Sequence, residues 1–312
     1  MSSPTLDAFR DRFAPVKQPI IVFNKSHSGS RMLAQFLNAA GVFLGSHLNE
    51  SWDSLDVLEL VEFLVTRYYP DYSPLWYADR PPDLQLARLL DKVFTRHLQG
   101  LDGDLNQPWG WKLCETVYAL PVLDYCFPGA RFIHLIRDGR DVAFCDHKAP
   151  DSGYWRKVYF NTDRIETYAG LRLTAPAYRR QSHIFNAIHW VNSVSLGRTH
   201  GALLRDRYTE VRYEDLCRDF ARTASELLKV TGVENTRGAV EGMLPAIRLG
   251  SIGKYKTHSK QHQAQVLRIE KPLLLSLGYL EHDPEPRAGS LWRSHLADRL
   301  VDGWKARSKR LS

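Results

Sequence analysis

The chain has 312 residues, 44% hydrophobic and 25% charged, enough apolar content for a sizeable core in one large α/β domain or two small ones. Its net charge of +7 is dispersed, with no dense Lys/Arg block before the C-terminal WKARSKR, which favours anionic small ligands or acidic substrates over a nucleic-acid stripe. Cys114, Cys126, Cys145 and Cys217 lack metal-ligand spacing and read as reduced core thiols, while a polar N-terminus and the lack of any run of 18 apolar residues point to a cytoplasmic protein with no membrane span.

Residues 19–40, PIIVFNKSHSGSRMLAQFLNAA, read as strand, loop and helix: Ile20 to Phe23 form a short apolar run, and Met32, Leu33, Phe36 and Leu37 fall at helical spacing. Between them the loop Asn24-Lys25-Ser26-His27-Ser28-Gly29-Ser30 offers free N–H groups, hydroxyls and cations at a helix N-terminus. It reads equally as a phosphate cradle or as a serine-rich cap. A Walker A loop would place Gly-Lys-Ser/Thr at the helix start, so a nucleoside triphosphate is not the first expectation. Gly41 ends the helix, and Val42 to Leu44 reads as a second short strand. His47, Glu50 and Asp53 follow within GSHLNESWDSLD, where Asp53 reads either as the cap of the next helix or as a site acid.

Residues 66–82 are rich in proline and aromatics and read as a covering loop; a helix over 83–99 comes next. Trp109 to Leu113 reads as a strand with Lys112 at its end, and Val117 to Cys126 as a helix. Arg131 to Ile136, RFIHLI, is a buried strand that delivers Arg137-Asp138-Gly139-Arg140-Asp141 at its C-terminal end, where open α/β sheets bind ligands. The aromatic, unpatterned stretch 148–178 reads as a substrate-side insertion. A helix over 181–200, a strand from Thr209 to Tyr213, a helix from Glu214 to Gly232, and helices near 236–247 and 263–277 complete the chain. The alternation predicts a P-loop-like central parallel sheet flanked by helices, in a single domain over 1–312 with a basic C-terminal tail.

Several separated stretches together resemble the sulfotransferases that use 3′-phosphoadenosine 5′-phosphosulfate (PAPS), over most of residues 19–280. KSHSGSRML resembles the family's 5′-phosphosulfate loop, (Arg/Lys)-Ser-Gly-Thr-Thr. FIHLIRDGRDVAFC is similar to its 3′-phosphate motif, EVRYEDL to its Tyr-Glu-Asp strand end, and RLGSIGKYK to its late Arg-x-Gly-x-x-Gly-x-Trp-Lys loop. The resemblance implies the sulfotransferase fold, PAPS as cofactor and adenosine 3′,5′-bisphosphate as product. It puts Ser28, Gly29, Ser30 and Arg31 around the 5′-phosphate, Arg137 on the 3′-phosphate, Tyr213 at the adenine, and Arg248 and Gly250 over the same phosphate from the late loop. His27 stands where the loop cation normally does, with Lys25 two residues earlier; charge favours Lys25 for the leaving phosphate, with His27 close behind. Cys145 takes the place of a serine and Tyr255 that of a tryptophan.

Cytosolic aryl sulfotransferases take a base histidine from the stretch here read as KLCET, where Cys114 and then Glu115 stand, so the resemblance points instead to the bacterial and carbohydrate branch. That branch uses a glutamate roughly 20 to 30 residues after the first loop, a window that here holds His47, Glu50 and Asp53. It implies Glu50 as the base, Asp53 as second choice and Lys112 as an organiser beside the sulfate. The acceptor is then a hydroxyl or amine of a small molecule or carbohydrate. Two readings compete: a small-molecule kinase with a degenerate P-loop, drawing Mg²⁺ to Asp138, Asp141 and Asp215, and a nucleotide-binding pseudoenzyme that kept its cofactor loops.

Overall fold

The computed structural model describes residues 5–68, 84–146, 181–234, 237–243, 247 and 249–280. Most of the expected covering loop at 66–82, the insertion at 148–178, Arg248 and the basic C-terminal tail lie outside the described residues. Four strands, β1 (Ile20–Asn24), β2 (Gly110–Lys112), β3 (Arg131–Ile136) and β4 (Tyr208–Arg212), form one parallel sheet in the order β2-β1-β3-β4. Helix α1 (Leu6–Phe13) precedes the sheet; parallel strands need crossovers, and here these carry α2 (Ser30–Ala39), α3 (Leu55–Tyr68), α4 (Leu84–Leu98), α5 (Leu120–Cys126), α6 (Gly139–Ala143) and α7 (Ser182–Leu204), while α8 (Tyr213–Arg218), α9 (Phe220–Thr231), α10 (Arg237–Met243) and α11 (Lys260–Ser276) follow β4.

Every residue of β1 is buried, as a central parallel strand covered on both faces requires. Alternation sorts its side chains: Ile20 and Val22 join Ile133 and Leu135 in a core with α2, α8 and α9, whereas Ile21 and Phe23 join Phe132 in a larger core with α1, α3, α4, α5 and α7. A smaller core of Ile136, Val142, Trp190, Val194 and Leu274 ties α6, α7 and α11 together. No described helix is long and apolar enough to cross a membrane.

Gly110 pairs with Ile20 in the β1–β2 register, and a Cβ there would run into the Ile20 backbone. Gly110→Ala is expected to lower stability by about 3 kcal/mol, the upper range of overpacking, and to show as a depressed midpoint in thermal denaturation.

Three sequence expectations change. Val42 to Leu44 contributes only a single bridge, Phe43 with Trp109, in which the Phe43 N–H bonds to the Pro108 carbonyl and the Phe43 carbonyl accepts from the Gly110 N–H. The helix from Glu214 to Gly232 is broken into α8 and α9 at Asp219, whose side chain caps α9 by accepting from the Arg222 N–H. Ser54, not Asp53, caps α3 through the Val57 N–H, which leaves the Asp53 carboxylate free for a longer-range partner.

Candidate active site

All four strands end at the same sheet edge, so the segments that follow them meet there. After β1 the chain passes through Lys25 to Ser30. The Ser28 hydroxyl donates to the Lys25 carbonyl at 2.6 Å and closes the turn, and the Asn24 amide donates to the same carbonyl at 2.6 Å. Gly29, in the left-handed region at φ 87°, precedes α2, and no side chain caps the helix start. A Cβ on Gly29 would collide with the Tyr213 ring, so glycine serves both the backbone turn and the close approach of the Tyr-Glu-Asp segment. Uncapped N–H groups at a helix start suit an anion. Ser28 and Ser30 are buried; Arg31 is exposed on the first turn of α2.

Arg137 leaves β3 into this edge with its side chain only 8% exposed. Its guanidinium donates to the His27 carbonyl (3.0 Å) and the Ser251 carbonyl (2.5 Å), pairs with Asp141 at 3.5 Å and lies 4.9 Å over the Tyr213 ring. Its Nε is buried and finds no acceptor among the described residues. One arginine thus links the first loop, the late loop and the start of α8, with a donor to spare for an anion. Glu214 adds rigidity, accepting from the Asp138 N–H at 3.0 Å and from the Tyr279 hydroxyl at 2.7 Å.

The late loop is held by Asp141, whose two carboxylate oxygens accept from the Gly253 N–H (2.8 Å) and the Tyr255 N–H (3.0 Å). Arg140 stacks over the Tyr255 ring at 4.5 Å while chelating Asp138. An amide can accept only one of the two N–H groups well, so Asp141→Asn is expected to raise hydrogen exchange at Gly253 and Tyr255 about tenfold, measured amide by amide. Gly250 is exposed in the short turn Leu249–Ser251 of this loop. Cys145, half-buried, donates its thiol to the Asp141 carbonyl at 3.3 Å; burial holds its pKa up, against the pull of Arg137 and Lys25.

Beside the first loop a second cluster forms where β2 ends. Lys25 is 2% exposed, bonds to the Ser26 hydroxyl at 2.7 Å, and is pushed down to about 8 by burial, against the opposing pull of Glu115, Cys114 and Cys145. Lys112 bonds to the Asp53 carboxylate and to the Ser51 carbonyl, both at 2.8 Å; burial works against its charge, yet Cys114, Asp53 and Glu115 hold its pKa above the ordinary value. The loop that brings Asp53 here is braced by Asn49, whose side-chain oxygen accepts from the Ser51 and Asp53 N–H groups at 2.9 Å. Trp52 sits in that loop at φ 65°. Glu115, 7% exposed, is pushed up to about 7 by burial and then by Asp53, while its own backbone N–H, Lys25 and Lys112 pull it down. Desolvation of its ring, with Lys25 and Arg137 close by, pushes His27 down to about 4; it is neutral at pH 7, and Lys25 carries the loop's charge.

Sequence reasoning therefore gathers the first loop, Arg137, Cys145, Tyr213 and the late loop at one edge. Asp53 and Lys112 also come together, but Glu50 is exposed on the loop that brings Asp53 in. Arg248 lies outside the described residues. Among the acids named for Mg²⁺, Asp138 is chelated by Arg140, Asp141 holds the late loop and Asp215 pairs at the surface with Arg212. The sequence reading passed over Glu115 as a site residue; its signal was an acid within the otherwise apolar run LCETVYALPVL.

The sulfotransferase family model, described as "Sulfotransferase family", matches residues 19–237, well over half of the chain. The chain belongs to the sulfotransferase family, whose members are PAPS-dependent enzymes. Solved structures similar to it include the sulfotransferase domain from the Synechococcus PCC 7002 olefin synthase, 17% identical over 86% of this chain and 97% of that one, with a TM-score of 0.45. The Mycobacterium avium sulfotransferase STF9 is 15% identical over 91% of this chain and 83% of that one, TM-score 0.45. Mouse sulfotransferase SULT7A1, complexed with PAP, is 10% identical over 98% and 96%, TM-score 0.45. No curated protein matches the sequence.

Proposed function

We propose that this chain moves the sulfuryl group of PAPS, in line, to a hydroxyl or amine of a small-molecule or carbohydrate acceptor, as a member of the bacterial and carbohydrate-type branch. The observation that carries the reading is the pairing of two cationic sites at one sheet edge: Lys25 in the loop that leads to an uncapped helix start, and Arg137 with a buried donor to spare. Two phosphates on one nucleotide need two such separated sites.

PAPS, when bound, supplies the activated sulfuryl group. The N–H groups around Ser28, Gly29 and Ser30, with Arg31, hold the 5′-phosphate; Arg137 holds the 3′-phosphate, Cys145 lies beside it, and Tyr213 flanks the adenine. By the resemblance, Arg248 and Gly250 close over that phosphate, ahead of the Gly253 and Tyr255 N–H groups that Asp141 holds. Lys25 balances the negative charge that grows on the leaving phosphate, with neutral His27 next to it, and no metal is required for that task. Asp53 fixes the Lys112 ammonium, which orients the sulfuryl oxygens. Glu50, the base that the resemblance implies, is exposed on the same loop.

Isothermal titration with adenosine 3′,5′-bisphosphate beside ATP–Mg²⁺ tests this. Selective binding of the bisphosphate supports the reading, whereas preference for ATP–Mg²⁺ overturns it in favour of a kinase. Tight bisphosphate binding with no transfer from PAPS to any acceptor would mark a pseudoenzyme.

A further inference from the structure

The loop after β2 places one more acid against the first loop. In the β1–β2 register Val22 stands opposite Lys112, and the Leu113 N–H bonds to the Val22 carbonyl at 3.1 Å. Lys25 and Glu115 each lie three residues beyond that pair, past the C-terminal ends of β1 and β2 at the same sheet edge. The turn Cys114–Tyr118, which holds Glu115, has all five residues buried. Glu115 and Lys25 are thus opposite charges buried at the same sheet edge, each sensing the other.

Resting on the sulfotransferase reading, we propose that Glu115 is the general base that takes the acceptor's proton, and that Asp53 is a positioning residue that locks Lys112 beside it. The acceptor O–H or N–H proton passes to the Glu115 carboxylate as the acceptor–sulfur bond forms. The bond from sulfur to the 5′-phosphate oxygen breaks, and its electron pair leaves on the phosphate, next to Lys25.

The other acids of the region are arranged against that role. Asp53 already receives the Lys112 ammonium at 2.8 Å and the Asn49 amide at 3.2 Å, so its charge is balanced in an ion pair. Glu50 is exposed, where water competes for any acceptor proton. Glu115 is buried, and a base works best when its pKa lies near the operating pH. The groups that face it set that balance: Asp53 from the loop before α3 raises its pKa; Lys25 from the first loop and Lys112 from β2 lower it. Cys114, its neighbour on the turn, is pushed up to about 12 and stays a neutral thiol, and His189 of α7, which senses Lys25 and bonds to the Tyr118 hydroxyl at 3.2 Å, stays neutral.

The test uses the full chain, PAPS alone with water as acceptor, and release of adenosine 3′,5′-bisphosphate as the readout. Glu115→Gln should slow release about 100-fold, the usual scale for a general base. Its affinity for the bisphosphate should stay within threefold, and the acid limb of the wild-type rate near pH 7 should disappear. Asp53→Asn should keep the limb but move it to lower pH, because a negative neighbour is removed; a purely structural Asp53 would not move it. Independently of turnover, thermal midpoints report the buried carboxyl. Its raised pKa stabilises the fold fully below about pH 4.5 and loses that contribution as pH rises through about 7, so the midpoint of Glu115→Gln should gain on wild type between pH 5 and pH 8. An unchanged release rate in Glu115→Gln, or a wild type that binds the bisphosphate yet shows no limb near pH 7, overturns the assignment. Failure of wild type to bind the bisphosphate sinks the sulfotransferase reading instead.

Discussion

Arg137→Ala is expected to weaken adenosine 3′,5′-bisphosphate about 1,000-fold, or ~4 kcal/mol, in isothermal titration. The size follows from what the guanidinium does before any ligand arrives. It already bridges the His27 and Ser251 carbonyls and stacks on Tyr213, so the first and late loops are held at a fixed separation around it. Truncation removes the charge meant for the 3′-phosphate and also leaves two loop carbonyls without their donor, while Asp141 loses its cationic neighbour. Arg137→Lys should recover little of the loss, because a compact ammonium lacks the planar fork that spans two separated carbonyls while presenting a further donor to the ligand. Equal affinity in wild type and Arg137→Ala would remove the 3′-phosphate from this position altogether.

Much of this edge was legible because parallel strands announce themselves. IIVFN and RFIHLI are short apolar runs with charge immediately after them, and a parallel sheet delivers every strand's C-terminal end to the same side. The gathering of the KSHSGSR loop, Arg137 and the Tyr-Glu-Asp segment needs no more than that. The contents of the second cluster were not legible, since they depend on pairings distant in sequence. Asp53 reads as a cap from local pattern, and only the approach of Lys112, 59 positions away, shows that Ser54 caps α3 while Asp53 takes the ion pair. Glu115 gains its meaning from the register of β2 on β1, which no local spacing reveals. In RDGRD the local pair is Arg140 with Asp138, as the spacing allows; Asp141 turns instead to the late loop more than a hundred residues on. Val42 to Leu44 erred the other way: an apolar triplet has strand propensity, but one bridge is all its geometry permits.

Lys25→Met is expected to lower the rate of bisphosphate release from PAPS about 1,000-fold and to weaken bisphosphate binding as well. In the resting protein the ammonium is buried and held above the Ser26 hydroxyl, a poor setting for a charge, which is why its pKa falls to about 8. Negative charge on the leaving phosphate is what that setting lacks; it grows through the transition state and is complete on the bound product, so the ammonium favours both over bound PAPS. Methionine fills a similar volume without the charge. Removing a desolvated ammonium leaves Glu115 with one fewer cation but relieves a buried charge, so the thermal midpoint at pH 7 should change little, and the lost rate is not a loss of fold. A second signature separates a chemical role from a steric one. Lys25, at about 8, loses its proton just above the pH at which Glu115, at about 7, loses its own, and the two sense each other. Wild type should therefore show a narrow bell whose limbs belong to the pair. Its alkaline limb comes from Lys25, because the charge is present below about pH 8 and vanishes above it. In Lys25→Met that limb should vanish and the acid limb should move to higher pH, because the cation that favoured the Glu115 carboxylate is gone. A variant that keeps the full bell at wild-type height would show that the leaving phosphate is met by another group of the loop.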